Sequence, residues 1–356
     1  MTALDFTYEP LPTRVVFAPG GLARLEAEAA RLDLQRVLVI STPEQGRDAE
    51  RAAAALAMRL AGIFTRAAMH TPVKVTDQAM ELLREKQVDG LAAIGGGSAI
   101  GLSKALALRT DLPQIVIPTT YAGSEATPIL GETEDGLKTT QRSSRVSPEV
   151  ILYDAELTLS LPVGLSVNSG LNAVAHAAEA LYAQEFNPLI NTMAQEAVRA
   201  MVASLPRIHA NPDDLEARGE ALYGAWLCGT CLAASEMGLH HKICHTLGGA
   251  FGLPHAETHA VMLPHVLAYN LPFAPEARRR LARALNCQDP ALELNRLARG
   301  LGAPRALRDL GMAQGDLDQA ADLAVRNAYA NPRSIERSGV LAMLTRAWSG
   351  DLPSEV

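Results

Sequence analysis

The chain has no run of about 18 apolar residues, no basic-then-apolar leader, and no lysine or arginine run longer than Arg278-Arg279-Arg280. The first two absences leave no membrane or secretory segment to read, so a cytoplasmic protein with no membrane partner is expected. The third, with a formal net charge of −7, removes the electrostatic footprint of a nucleic-acid binder. Cysteine is scarce, at four in 356 residues, and disulfides are not expected in a reducing compartment. Cys228 and Cys231 form a CxxC inside an apolar helical stretch with no second CxxC. They read as buried thiols rather than as a redox or zinc site.

What is present is ordinary for a globular protein: 48% hydrophobic and 20% charged residues. The length calls for two domains. In the first half, short apolar runs alternate with amphipathic segments, the pattern of a parallel sheet covered on both faces. The strands read as Arg36 to Ser41, Ile63 to Met69, Gly90 to Ile94, Gln114 to Pro118 and Val150 to Tyr153; helical patterns lie at Asp48 to Leu60, Thr76 to Lys86 and Ser98 to Leu108. From about Pro162 strand-like runs disappear and the period becomes helical. The expectation is a Rossmann-like α/β domain over 1–162 and an all-helical domain over 163–356.

Two loops carry chemistry. Ile94 ends an apolar run and Gly95-Gly96-Gly97-Ser98 opens a helical one. Glycines admit a phosphate close to the backbone, and the free N–H groups of a helix start point at it. Ser98 is read as the N-cap. The next glycine, Gly101, falls one residue late for GxGxxG, and no acidic residue waits about 20 residues on. Lys104, one turn into the helix, reads either as a phosphate contact or as a surface lysine. The second loop, Pro118-Thr119-Thr120-Tyr121-Ala122-Gly123-Ser124, opens into hydroxyls after the next strand, where an open parallel sheet binds ligands.

Six of nine histidines fall between His240 and His265. His241 and His245 are four apart and share a helix face, as Asn172 and His176 do in an earlier helix. His255 follows a glycine turn. His241-Lys242-Ile243-Cys244-His245 lacks the glutamate a zinc protease uses as base, and no GxSxG elbow occurs.

The GGGSxxGxxK element from Gly95 to Lys104, the run Pro118 to Pro128, Gly170 to His176, His241xxxHis245 and Pro254-His255 fall in one order. Together they resemble the group III, iron-containing alcohol dehydrogenase family, and within it the branch that reduces 2-maleylacetate. The resemblance implies the dehydroquinate synthase-like architecture: a Rossmann-like domain and a helical domain that hold NAD(P) and a divalent metal. It implies Gly95, Gly96, Gly97, Ser98, Thr119, Thr120, Ser124 and Lys138 as cofactor contacts, with Ser41 at the end of the second strand. The metal-ligand histidines match His176, His241 and His255, and the family's aspartate ligand is replaced by Asn172. A neutral amide is a poor ligand for iron or zinc, so a metal is not expected to be required.

On this reading NADH or NADPH reduces the C=C bond of 2-maleylacetate, or a chlorinated form, to 3-oxoadipate. His241 and His245 are the catalytic pair; Asn172, His176, His255 and Lys242 contact the dicarboxylate, with Arg142 and Arg145 as further cations. A homodimer is expected. The alternatives are a metal-dependent alcohol or aldehyde dehydrogenase of the same family and an NAD-using lyase of dehydroquinate synthase type.

Overall fold

The computed structural model describes residues 5–135, 137–184, 187–326 and 329–355, with the Lys138 side chain outside that set. The chain forms two compact units, Pro10–Leu161 and Pro162 onward, and the described residues before Pro10 belong with the second.

The first unit runs β1 (Arg14–Phe17), α1 (Leu25–Arg31), β2 (Val37–Ile40), α2 (Gly46–Leu56), β3 (Leu60–Phe64), α3 (Val73–Lys86), β4 (Gly90–Gly95), α4 (Gly97–Thr110), β5 (Gln114–Pro118), β6 (Ile129–Glu134), β7 (Leu137–Arg142) and β8 (Val150–Tyr153). Six strands make a parallel sheet in the order β1-β8-β5-β4-β2-β3. Every residue of β2, β4, β5 and β8 is buried, which is why these strands read as continuous apolar runs. Val37, Val39, Ala92 and Ile94 face Leu25, Ala29, Ala52 and Leu56 of α1 and α2. Leu38, Ile40, Leu91 and Ala93 face Ala79, Leu83, Ile100 and Leu106 of α3 and α4.

After β3 the chain crosses back over β2 to lay down β4. Consequently α2 and α4 leave neighbouring strands toward opposite faces, and a crevice opens at the carboxyl ends of β2 and β4. Two features escape the sequence pattern. β3 is a half-exposed edge strand that starts at Leu60 rather than Ile63. The antiparallel β6–β7 hairpin, paired from Ile129↔Arg142 to Glu134↔Leu137, has apolar side chains only at Ile129, Leu130 and Leu137 and no apolar alternation to betray it.

The second unit comprises α5 (Val163–Ala180), α6 (Pro188–Ala210), α7 (Leu215–Ala234), α8 (Leu239–Phe251), α9 (His255–Asn270), α10 (Pro275–Ala284), α11 (Pro290–Gly300), α12 (Leu317–Ala324) and α13 (Arg337–Ser349), with no strand among the described residues. α5 is buried on almost every side. Its Gly170 lets α6 close in, since a Cβ there would sit 2.8 Å from Leu205 Cδ2 and 2.9 Å from Met201 Sδ. Cys228 and Cys231 are buried thiols of α7, and burial pushes Cys231 up to about 12, far from a reactive thiolate. No helix among the described residues is long and apolar enough to cross a membrane.

Candidate functional site

In the first unit, three loops meet at the carboxyl ends of β2, β4 and β5. Gly95 has φ +148, and a Cβ there would lie 2.7 Å from Gln45 Oε1 and 2.9 Å from Ala99 Cβ. A Cβ on Gly96 would lie 2.7 Å from Thr120 Cγ2. These two glycines let the neighbouring loops close in. Gly97 is exposed, with nothing within 4 Å of an added Cβ, so the start of α4 is open to a ligand. Gly96 is the N-cap of α4 and no side chain caps the helix, which leaves its first N–H groups and positive end available to an anion.

That corrects the reading of Ser98, which is the second residue of α4 and half-buried rather than the cap. Ser41 is also corrected. It is fully buried, and its hydroxyl donates to the Ile94 carbonyl at 2.9 Å, so it braces β2 against β4 and has no surface to offer a cofactor. Gln45, which nothing in the sequence singled out, reaches across instead: its Nε2 donates to Thr119 Oγ1 at 2.6 Å.

Lys104 is neither a phosphate contact nor a surface lysine. It is 1% exposed, and Nζ donates to the carbonyls of Ser124 (2.7 Å), Thr127 (2.6 Å) and Ile129 (3.1 Å) and to Thr127 Oγ1 (3.0 Å). Burial pulls it down to about 7 while Glu125 opposes, and a shell of oxygen acceptors suits the three protons of an ammonium. Lys104 therefore pins the hydroxyl loop. Behind it Tyr153 donates to Glu125 at 2.8 Å, and burial pushes both groups up. Ser124 Oγ is buried with no hydrogen-bond partner among the described residues. An open helix start, glycines that a side chain would obstruct and an orphaned hydroxyl together fit the pyrophosphate of a dinucleotide. Lys138 lies in β7 opposite Thr133, its side chain outside the described set. Arg145 pairs with Asp111 at 2.9 Å on the surface.

The second unit gathers the histidines. α5 supplies Asn172 and His176, α8 supplies His240, His241 and His245, and α9 supplies His255 and His259. His176 Nδ1 and His241 Nε2 are 2.7 Å apart. His241 Nδ1 donates to Glu179 Oε2 at 2.6 Å, so both ring nitrogens of His241 are engaged. His245 is exposed, with its ring 6.1 Å from that of His241 and 6.2 Å from that of His255. Lys242 holds its ammonium 5.8 Å from the Tyr329 ring.

Three residues here were missed: Glu179, His240 and His259. Glu179 lies one turn past His176 on α5, a spacing that could have flagged it. His240 Nε2 and His259 Nδ1 are 2.9 Å apart, while His240 Nδ1 and His259 Nε2 have no partner among the described residues. Burial pulls His240 down to about 3 and His259 well below the ordinary range, so both are neutral near pH 7. Burial opposes ionisation of Glu179, but the hydrogen bonds it accepts from the His241 ring and the His240 N–H, with both imidazoles close by, hold it below the usual carboxylate range.

A divalent ion held by His176 and His241 would need a lone pair from each. Bonds of about 2.1 Å to a tetrahedral ion set two such nitrogens ~3.4 Å apart. Here they share a proton at 2.7 Å, and the fourth position is the neutral amide of Asn172, whose Oδ1 is buried and unpartnered among the described residues. This donor set does not fit a tightly held iron or zinc ion.

The description "Iron-containing alcohol dehydrogenase" matches residues 12–155, and "Fe-containing alcohol dehydrogenase family, C-terminal" matches 166–348. The chain is 52% identical to a maleylacetate reductase of Sphingobium indicum, covering 98% of each chain. It is 54% identical to one from a Rhizobium species, covering 98% of this chain and 99% of that one. The crystal structure of maleylacetate reductase from Agrobacterium tumefaciens superposes with a TM-score of 0.96 at 53% identity, covering 98% and 100% of the two chains. The chain is an oxidoreductase and belongs to the iron-containing alcohol dehydrogenase family.

Proposed function

We propose that the protein reduces the carbon–carbon double bond of 2-maleylacetate to give 3-oxoadipate, or that of a chlorinated maleylacetate to give the correspondingly chlorinated 3-oxoadipate, at the expense of NADH or NADPH. The carrying observation is the imidazole cluster with Asn172 in place of a carboxylate, in a chain about half identical over nearly its full length to maleylacetate reductases. When bound, NAD(P)H supplies a hydride to the alkene carbon β to the ketone, and the resulting enolate takes one proton at the α carbon.

The chain's own groups do the rest. The N–H groups at the start of α4 and the hydroxyls of Thr119, Thr120 and Ser124 bind the pyrophosphate, on a loop that Lys104 keeps in place. At the end of β2 no side-chain carboxylate takes the first position; Ser41 is buried, and exposed Glu44 bonds back to Thr42. A 2′-phosphate is therefore tolerated. The expected NADH/NADPH preference in kcat/KM is less than about a hundredfold, or ~3 kcal/mol, and a larger one contradicts it.

His245 is the proton donor, because it is the exposed member of the cluster. His176, His241 and His255 orient the dianion. The protein acts in the cytoplasm as a homodimer in aromatic-compound breakdown. The test is product identification: 3-oxoadipate formed one-for-one with NADH consumed supports the reading, and NADH oxidation by simple aldehydes but not maleylacetate transfers it to the alcohol dehydrogenase branch.

A further inference from the structure

The buried carboxylate of Glu179 has no place in the chemistry above, yet it is the most heavily engaged acidic group in the helical unit. It is 1% exposed. Its Oε2 accepts from Gly238 N at 3.0 Å and from His241 Nδ1 at 2.6 Å, and its Oε1 accepts from His240 N at 2.8 Å. Gly238 is the N-cap of α8 and makes no side-chain cap; a Cβ there would meet Glu179 Oε1 at 3.2 Å. A glutamate from α5 thus does for α8 what a local cap residue does elsewhere, and the same carboxylate holds the His241 ring.

Backbone N–H groups can only donate, so Glu179 faces them as an acceptor, and its contact with Nδ1 assigns that nitrogen the proton. Nε2 is then the nitrogen left to face His176, 2.7 Å away. In the neutral pair His241 Nε2 accepts and His176 Nδ1 donates, so one carboxylate orders the tautomers of two imidazoles in series. The logic is that of a carboxylate that holds a catalytic imidazole in one orientation and one tautomer.

We infer that Glu179 is the positioning residue of the imidazole site, acting through His241 by fixing its ring and its Nδ1–H tautomer, and through it the tautomer of His176. The kinetic arm of the test rests on the proposed reduction; the spectroscopic arm does not.

Replacement by glutamine keeps the size but leaves one acceptor oxygen for the N–H groups of Gly238, His240 and His241, the His241 Nδ1–H and the Tyr182 hydroxyl. Glu179→Gln is expected to lower kcat about tenfold or more while KM for NADH stays within about twofold. In a His241→Ala background the same replacement is expected to cost less than about twofold, because its target is gone. Equal losses in both backgrounds, or kcat within about threefold of wild type, overturn the inference; equal losses mark a purely structural cap on α8. Should Glu179→Gln fail to fold, the wild-type enzyme labelled with 15N-histidine decides: His241, assigned by its absence in His241→Ala, must carry its proton on Nδ1, and a neutral His241 protonated only on Nε2 contradicts it. If wild type itself fails to consume NADH with maleylacetate, the functional reading fails while the tautomer measurement still stands.

Discussion

His176 Nδ1 and His241 Nε2 sit 2.7 Å apart, at hydrogen-bond distance, on two different helices. Two nitrogens that share a proton do not both offer a lone pair to a cation. Beside them the family's acidic ligand is Asn172, which brings no charge to offset an ion.

Restoring that charge is informative. Asn172→Asp is expected to raise the iron or zinc retained after purification to near one equivalent per chain, measured by elemental analysis, and to lower maleylacetate reduction, since a bound ion would part the His176–His241 pair. Unchanged metal content in a folded variant would show that the amide is not what weakens the site.

His245 is the exposed member of the cluster. Its replacement by alanine should lower kcat about tenfold or more, the usual yield of a positioned proton donor. Because the cofactor loops lie in the other unit, NADH affinity by fluorescence titration should stay near wild type. A near-normal kcat would remove His245 from the chemistry.

Lys104 ties four oxygens of the hydroxyl loop with one ammonium. Lys104→Met keeps most of the volume and strands those acceptors, so a loss of ~3 kcal/mol in unfolding free energy is expected, read by urea denaturation, together with a raised KM for NADH. A stable variant with weaker NADH binding would separate the clamp from the fold; a variant normal in both would contradict the role.

The buried histidines set an acid limit. Burial, with Arg299 and Arg346 nearby, pulls His265 down to about 4 against Asp351, and burial pulls His240 to about 3. Between the ordinary histidine value near 6.5 and these values, the unfolded chain binds protons that the folded chain refuses. Stability therefore falls as pH drops through that window. Glu179, held below the usual carboxylate range, adds its loss only below about 4.5. Melting temperature should decline steadily from pH 6.5 to pH 5, and His265→Gln should flatten the decline; a melting temperature constant over that range would contradict the assignment.

The sheet was legible because four of its strands are buried on both faces and read as unbroken apolar runs. The β6–β7 hairpin was not, since its three apolar residues, Ile129, Leu130 and Leu137, do not alternate along the strands. Within the site, the glycines and the clustered histidines announced themselves by type and spacing. The direction of Lys104 did not: a lysine one turn into a helix reads alike whether it meets phosphate, solvent or, as here, four oxygens of a neighbouring loop. Ser41 misled for a related reason, because a hydroxyl at a strand end carries no mark of the carbonyl it satisfies. Glu179 carried one mark, its place a turn past His176, but nothing in the sequence joined it to a ring 62 residues on.

The most direct test of the account is NADH consumption with 2-maleylacetate by enzyme dialysed against a strong chelator, with residual iron and zinc quantified in the same sample. Full activity at well below one metal per chain is the predicted result. Activity that vanishes with the metal and returns with added iron or zinc would contradict it and place the protein among the metal-dependent members of its family.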